Sequence, residues 1–197
     1  MKKPILIIFA GANGAGKTTV AKLLLPKLKI KEFVNADEIS RGLSPFNPTG
    51  QAIAAGRLVL KRVSELIKEK QSFAIETTLS GNTLLKYIKR AQASGYRVEM
   101  YYIFCADMNV NIQRVKQRAK QGLHDVPAQD IRRRYWRSLQ HWLMPYKNFC
   151  DIMHVYDTTA GVPTEIAYWF DDEPMFRFDD GLCERFVKKV IEARDEH

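Results

Sequence analysis

Between residues 11 and 18 the chain reads Gly11-Ala12-Asn13-Gly14-Ala15-Gly16-Lys17-Thr18, a glycine, four free positions, then Gly-Lys-Thr. This is phosphate-loop spacing, and each residue type in it has its own chemical reason. Glycines at 11, 14 and 16 let the backbone take positive φ and approach a phosphate with no Cβ in the way, so that successive amides form an anion cradle. The helix that follows adds its N-terminal dipole, with Thr19 in the first turn. Lys17 is the cation expected to reach the outer phosphates, and Thr18 the hydroxyl expected on the Mg²⁺ that bridges them. The expected cofactors are therefore ATP and Mg²⁺, with residues 11–19 as the binding segment and Thr18 as the metal ligand. The competing reading, a glycine-rich turn with no ligand, fits the flanks less well: residues 4–10 read as a buried strand and residues from Thr18 onward as a helix packed on a sheet.

Two carboxylates and two arginines are the further candidates. Asp37, in Asn35-Ala36-Asp37-Glu38, leaves a strand at the edge where open α/β sheets bind ligands, and is expected to orient and deprotonate an acceptor hydroxyl. Its competing role is to cap a short helix over residues 38–41. Glu76, with Thr78 and Ser80 in Glu76-Thr77-Thr78-Leu79-Ser80-Gly81, is expected to bind the acceptor, or to hold Mg²⁺ through water; Phe46 is placed in the same pocket. A structural ion pair with an arginine is the competing role for Glu76. Arg118 and Arg134 are expected to clamp the β- and γ-phosphates, because the planar guanidinium fork matches phosphate oxygens. Arg132, Arg133 and Arg134 point about 100° apart on a helix, so one or two of them face the site, with Arg133 as the reserve. His124 either donates to a phosphate or structures its turn.

Strand and helix signals alternate along the chain, which predicts an α/β domain with a parallel sheet covered on both faces. After residues 4–10, strands are expected at 32–35, 72–77, 96–104 and 151–156. The first helix should end near Pro26. Thr49 should cap a helix whose stripe Ala52, Val59, Val63, Leu66 is core, and Gly95 should end another over 82–94. Residues 107–143 form two basic helices around Gly122-Leu123-His124-Asp125-Val126-Pro127, read as a mobile lid over about 107–145 of a single domain, 1–197. Residues 165–170 are a helix or a strand, 171–180 have no assignment, and 182–193 are an amphipathic helix.

Composition bounds the partners. At 197 residues and 46% hydrophobic, the chain can bury one ordinary core. No stretch is long enough to span a bilayer, and the N-terminus leads into a strand rather than a signal peptide. Cys105, Cys150 and Cys183 are odd in number and far apart, which fits neither a disulfide framework nor a zinc site and points to the cytoplasm. The net charge of +9, from 31 basic and 22 acidic residues, favours anionic partners.

The phosphate loop, Asn35-Ala36-Asp37, Gly42-Leu43-Ser44-Pro45, residues 76–81, the Gly-x-His-Asp-Val-Pro run and Ile131-Arg132-Arg133-Arg134-Tyr135 together resemble the compact members of the zeta-toxin-like P-loop kinases, over roughly residues 4 to 160. The resemblance implies a nucleoside-monophosphate-kinase-like fold with a five-stranded parallel sheet in the order 2-3-1-4-5. It implies phosphoryl transfer from Mg·ATP to a hydroxyl, which in zeta toxins belongs to a UDP-activated amino sugar, and a small protein antitoxin as partner. Read from the residues themselves, the acceptor is a small-molecule hydroxyl. Other readings are a polynucleotide or nucleoside kinase, a transporter-type ATPase and a non-catalytic nucleotide-binding regulator. Nucleic acid is disfavoured because the aromatic residues fall at core spacing; the ATPase is disfavoured because no apolar strand ends in Asp-Glu.

Overall fold

The apolar run before the glycine segment forms β1 (Ile5–Ala10), buried over its last five residues. In the computed structural model, which describes residues 3–121, 125–170 and 176–195, β1 is the middle strand of the parallel part of the sheet. It pairs in parallel with β3 (Phe73–Thr77) on one side and β4 (Arg97–Phe104) on the other. Outside them lie β2 (Glu32–Val34) against β3 and β5 (Ile152–Asp157) against β4, both parallel. The parallel part thus has the order implied by the family resemblance.

The sheet does not stop at five strands. β6 (Thr164–Phe170) pairs antiparallel with β5, and β7 (Phe176–Arg177) antiparallel with β6, giving seven strands in the order β2-β3-β1-β4-β5-β6-β7. The reason is the short connection after β5. Residues 158–163 are too few for a crossover helix, so the chain can only turn back beside the strand it left.

Seven helices are described: α1 (Lys17–Leu28), α2 (Ala36–Leu43), α3 (Ala52–Glu69), α4 (Thr83–Ala93), α5 (Met108–Lys120), α6 (Ala128–Leu143) and α7 (Asp180–Asp195). Alternate residues of β1 serve opposite faces. Ile7 and Phe9 meet Val20, Ala21 and Leu25 of α1, while Leu6 and Ile8 join the larger core with α3, α4, α6 and α7. Pro26 lies inside α1 rather than ending it; the helix closes at Lys29, left-handed at φ 56, whose amide returns to the carbonyls of Leu25 and Pro26. A 3-10 turn (Thr49–Gln51) precedes α3, so Gln51 and not Thr49 holds the position before that helix.

The two basic helices are present, but α6 is a layer of the core. Ile131, Tyr135, Leu139 and Trp142 are buried along it, the Tyr135 hydroxyl donates to the Cys105 carbonyl at 3.0 Å, and Trp142 meets Phe186 of α7 edge to face at 4.7 Å. A lid that swings as one piece over residues 107–145 would have to expose that face. Among the described residues no helix is long and apolar enough to cross a membrane.

Candidate phosphate-binding site

The turn between β1 and α1 has the backbone that its glycines foretell, with Gly11, Gly14 and Gly16 at φ 142, 79 and 92. Close approach adds to the requirement. A Cβ on Gly11 would lie 2.2 Å from the Ile103 carbonyl oxygen, and one on Gly14 2.3 Å from that of Asn111. Ala12 and Ala15 are buried, which leaves the backbone to line the turn.

Lys17 opens α1 with its side chain only 7% exposed; its ammonium donates to the Ala12 carbonyl at 3.0 Å and lies 3.7 Å from Glu76 Oε1. Burial lowers its pKa below the usual lysine value, nearby Arg118 pushes the same way, and the carboxylates of Glu76 and Asp37 oppose them. Glu76, at the end of β3, accepts from the Thr18 hydroxyl and from the Asn35 side-chain amide, both at 2.8 Å. Its partners are therefore the phosphate loop and Asn35, not the arginine of the competing reading.

Asn35 decides the role left to Asp37. Its Oδ1 caps α2, accepting from the backbone amides of Asp37 at 2.8 Å and Glu38 at 3.2 Å. Because Asn35 is the cap, the capping role considered for Asp37 is excluded, and the Asp37 carboxylate lines the same cleft as Lys17, Thr18, Glu76 and Arg118. That cleft is about 570 Å³.

The match to known proteins settles the class. The family model described as an AAA domain matches residues 6–139. The chain belongs to this family. An uncharacterized protein of Haemophilus influenzae is 32% identical over 129 residues, which cover 66% of this chain and 91% of that protein. Among solved structures, a chain of the AvrRxo1-ORF1:AvrRxo1-ORF2 complex with sulphate ions superposes with a TM-score of 0.76 at 18% identity, covering 94% of this chain. This chain spans 64% of the length of that one; the same complex with ATP gives a TM-score of 0.73 at 19% identity. The PezAT chromosomal toxin-antitoxin system of Streptococcus pneumoniae gives 0.65 at 14% identity, over 100% of this chain and 89% of that one. The likeness to these solved structures is one of fold.

In this AAA-domain chain the expected site residues fall into three groups. Gly14, Gly16, Lys17, Thr18, Thr19, Asp37, Glu76 and Arg118 line one cleft. Gly11, Ala12, Asn13 and Ala15 complete the loop without lining the cleft, and Arg134 reaches the loop through Asn13, its Nη1 donating to Asn13 Oδ1 at 3.2 Å. The remainder are elsewhere. Thr78 and Ser80 share a hydrogen bond of 2.8 Å with each other and lie off the cleft, because the intervening Leu79 is left-handed at φ 54 and buried, turning the two hydroxyls together. Phe46 is fully exposed. Arg133, the reserve, pairs with Asp130 at 2.8 Å on the outer side of α6. His124 lies outside the described residues.

Several residues of the site were missed in the sequence, Asn35, Arg114 and Thr158 among them. Asn35 carries both the cap and the bond to Glu76. Arg114 lines the cleft with Arg118; the signal was there, since residues four apart on a helix share a face. The residues also fit Mg²⁺. This ion takes oxygen ligands and keeps several waters and phosphate oxygens, so the Thr18 hydroxyl with the Glu76 carboxylate beside it is a sufficient protein contribution. Among the described residues no group of three or more His, Cys, Asp or Glu side chains is placed to hold a metal by itself.

Proposed function

We propose that the protein is an ATP- and Mg²⁺-dependent phosphotransferase that moves the γ-phosphate to a hydroxyl of a small molecule. The observation that carries the reading is Asp37: a carboxylate relieved of capping by Asn35, facing the cleft across from the phosphate loop and close enough to Lys17 to act on its charge. A nucleotide-binding regulator needs the loop but has no use for that carboxylate.

Phosphoryl transfer asks a protein to place an acceptor in line and to spread charge over the transferring oxygens. Asp37 orients the acceptor hydroxyl and takes its proton as its oxygen bonds to the γ-phosphorus and the bond from that phosphorus to the β,γ-bridging oxygen breaks, releasing ADP. Lys17, which is buried, and Arg118 lie against the charge that builds on the phosphate oxygens. Bound Mg²⁺, held by Thr18 with Glu76 at one remove, would supply charge neutralisation on the β- and γ-phosphates. Arg134 acts on the loop through Asn13. A sugar-nucleotide acceptor of the kind implied by the zeta-toxin resemblance is part of the proposal.

A protein partner is a further part of this reading. It is supported by fold likeness to chains from a two-protein complex and from a toxin-antitoxin system. Nucleic acid is not. Tyr101, His154, Tyr168 and Phe176 form a ladder of rings across the sheet, with centroids 4.4, 5.8 and 5.2 Å apart; their faces stack on one another, which leaves edges rather than faces for a base. Incubation with γ-labelled ATP, Mg²⁺ and a fractionated metabolite extract tests the reading. Label in a hydroxyl-bearing small molecule is expected; label only in inorganic phosphate contradicts transfer.

A further inference from the structure

The loop after β5 touches the phosphate loop from the side opposite to Lys17's partners, and its contacts form a directed chain. Arg114 of α5 donates through Nη2 to the Thr158 carbonyl at 2.8 Å and through Nη1 to the Thr158 hydroxyl oxygen at 3.4 Å. The Thr158 hydroxyl lies 2.8 Å from the Ala15 carbonyl oxygen and 3.0 Å from that of Phe104. A hydroxyl has one proton to give, and guanidinium has only donors, so Arg114 takes a lone pair of Oγ1 and leaves the proton for a carbonyl. Phe104 already accepts from the Thr158 backbone amide at 2.9 Å, and Ala15 is the nearer acceptor, so the proton goes to Ala15.

That bond matters for one peptide plane. In a trans peptide the carbonyl of one residue and the amide of the next are fixed relative to each other. Holding the Ala15 carbonyl thus fixes the direction of the Gly16 N–H, in a residue that lines the cleft at φ 92 and has no side chain to restrict it. The preceding plane has its own tie, since the Ala15 amide donates to the Ala12 carbonyl at 3.2 Å. Thr158 is itself 3% exposed, so water does not compete for the bond.

We propose that Thr158, held by Arg114, is a positioning residue that aims the Gly16 amide at the phosphates of the bound nucleotide. The proposal rests on the phosphate-binding part of the function above, and not on transfer. Valine would press a methyl group onto the Ala15 carbonyl, so the informative pair is Thr158→Ala and Thr158→Ser, which differ only in the hydroxyl. Affinities for Mg·ATP and for Mg·tripolyphosphate are measured by calorimetry on the full chain, with thermal unfolding beside them. Thr158→Ala should weaken both ligands about tenfold and equally, the scale of one buried hydrogen bond, and Thr158→Ser should restore both to within about twofold. Wild-type affinity in Thr158→Ala, a loss confined to ATP that spares tripolyphosphate, or a loss that Ser does not restore overturns the positioning role. A wild type that binds Mg·ATP but transfers no phosphoryl group overturns the kinase reading alone.

Discussion

At the scale of single residues, the site is built from groups whose alternatives are closed off by their neighbours. Gly14 is the sharpest case: it is left-handed at φ 79, and a Cβ there would sit 2.3 Å from a backbone oxygen of α5. Neither the loop nor the helix can retreat without opening the cleft. Gly14→Ala is expected to cost about 1–3 kcal/mol from the strained backbone, with overlap added to it, and to abolish nucleotide binding. Gly81→Ala is the control, since its Cβ would meet nothing within 4 Å, and should change stability by less than about 0.5 kcal/mol. Chemical denaturation of both variants checks the contrast; equal costs would mean that the close approach at Gly14 is unimportant.

At the scale of elements, α2 owes its start to Asn35, which also anchors Glu76 through its other side-chain atom. Asn35→Ala should lose about 1 kcal/mol of stability from the cap alone. It should also lower phosphotransfer by more than that loss explains, because Asp37 and Glu76 both lose their orientation; turnover measured well below the unfolding transition separates the two effects. Much of this element-level plan was legible in the sequence. The phosphate loop, β1 and the Asn35-Ala36-Asp37 turn are local structures, set by glycine placement and β-branched runs within a few residues. What was not legible depends on distant chain. Nothing near Thr78 or Ser80 shows that Leu79 turns left-handed into the core, and nothing in residues 128–143 says that their apolar stripe meets Phe186 more than forty positions later. The antiparallel β6 was open between helix and strand until the short turn after β5 settled it. Arg114 was passed over although its four-residue spacing from Arg118 was visible.

At the scale of the whole molecule, tyrosine hydroxyls tie the chain segments that enter and leave β3. Tyr96 donates to the carbonyls of Leu66 and Gln71 at 2.8 and 2.7 Å, and Tyr146 to that of Gly81 at 2.7 Å. Burial raises each phenol from the ordinary 10 to about 12. A raised folded-state pKa means that the native chain holds the proton longer than the unfolded one, so this stabilisation is complete below pH 10 and is lost as pH rises through about 12. Thermal unfolding between pH 9 and 12 should show falling stability, with a shallower slope in Tyr96→Phe; an unchanged slope in that variant would remove Tyr96 from the effect. The same plan divides labour across the cleft. On the proposed function, the phosphate loop and α5 would grip the nucleotide, while α2 would supply the carboxylate for the acceptor. The most direct measurement of that division is single-turnover phosphotransfer by Asp37→Asn, with Mg·ATP affinity measured on the same preparation. Asparagine keeps the shape and leaves the Asn35 cap untouched, so affinity and melting temperature should hold while turnover falls by about 10² to 10⁴, the range of a positioned general base. Turnover equal to the wild type would contradict the account at its centre.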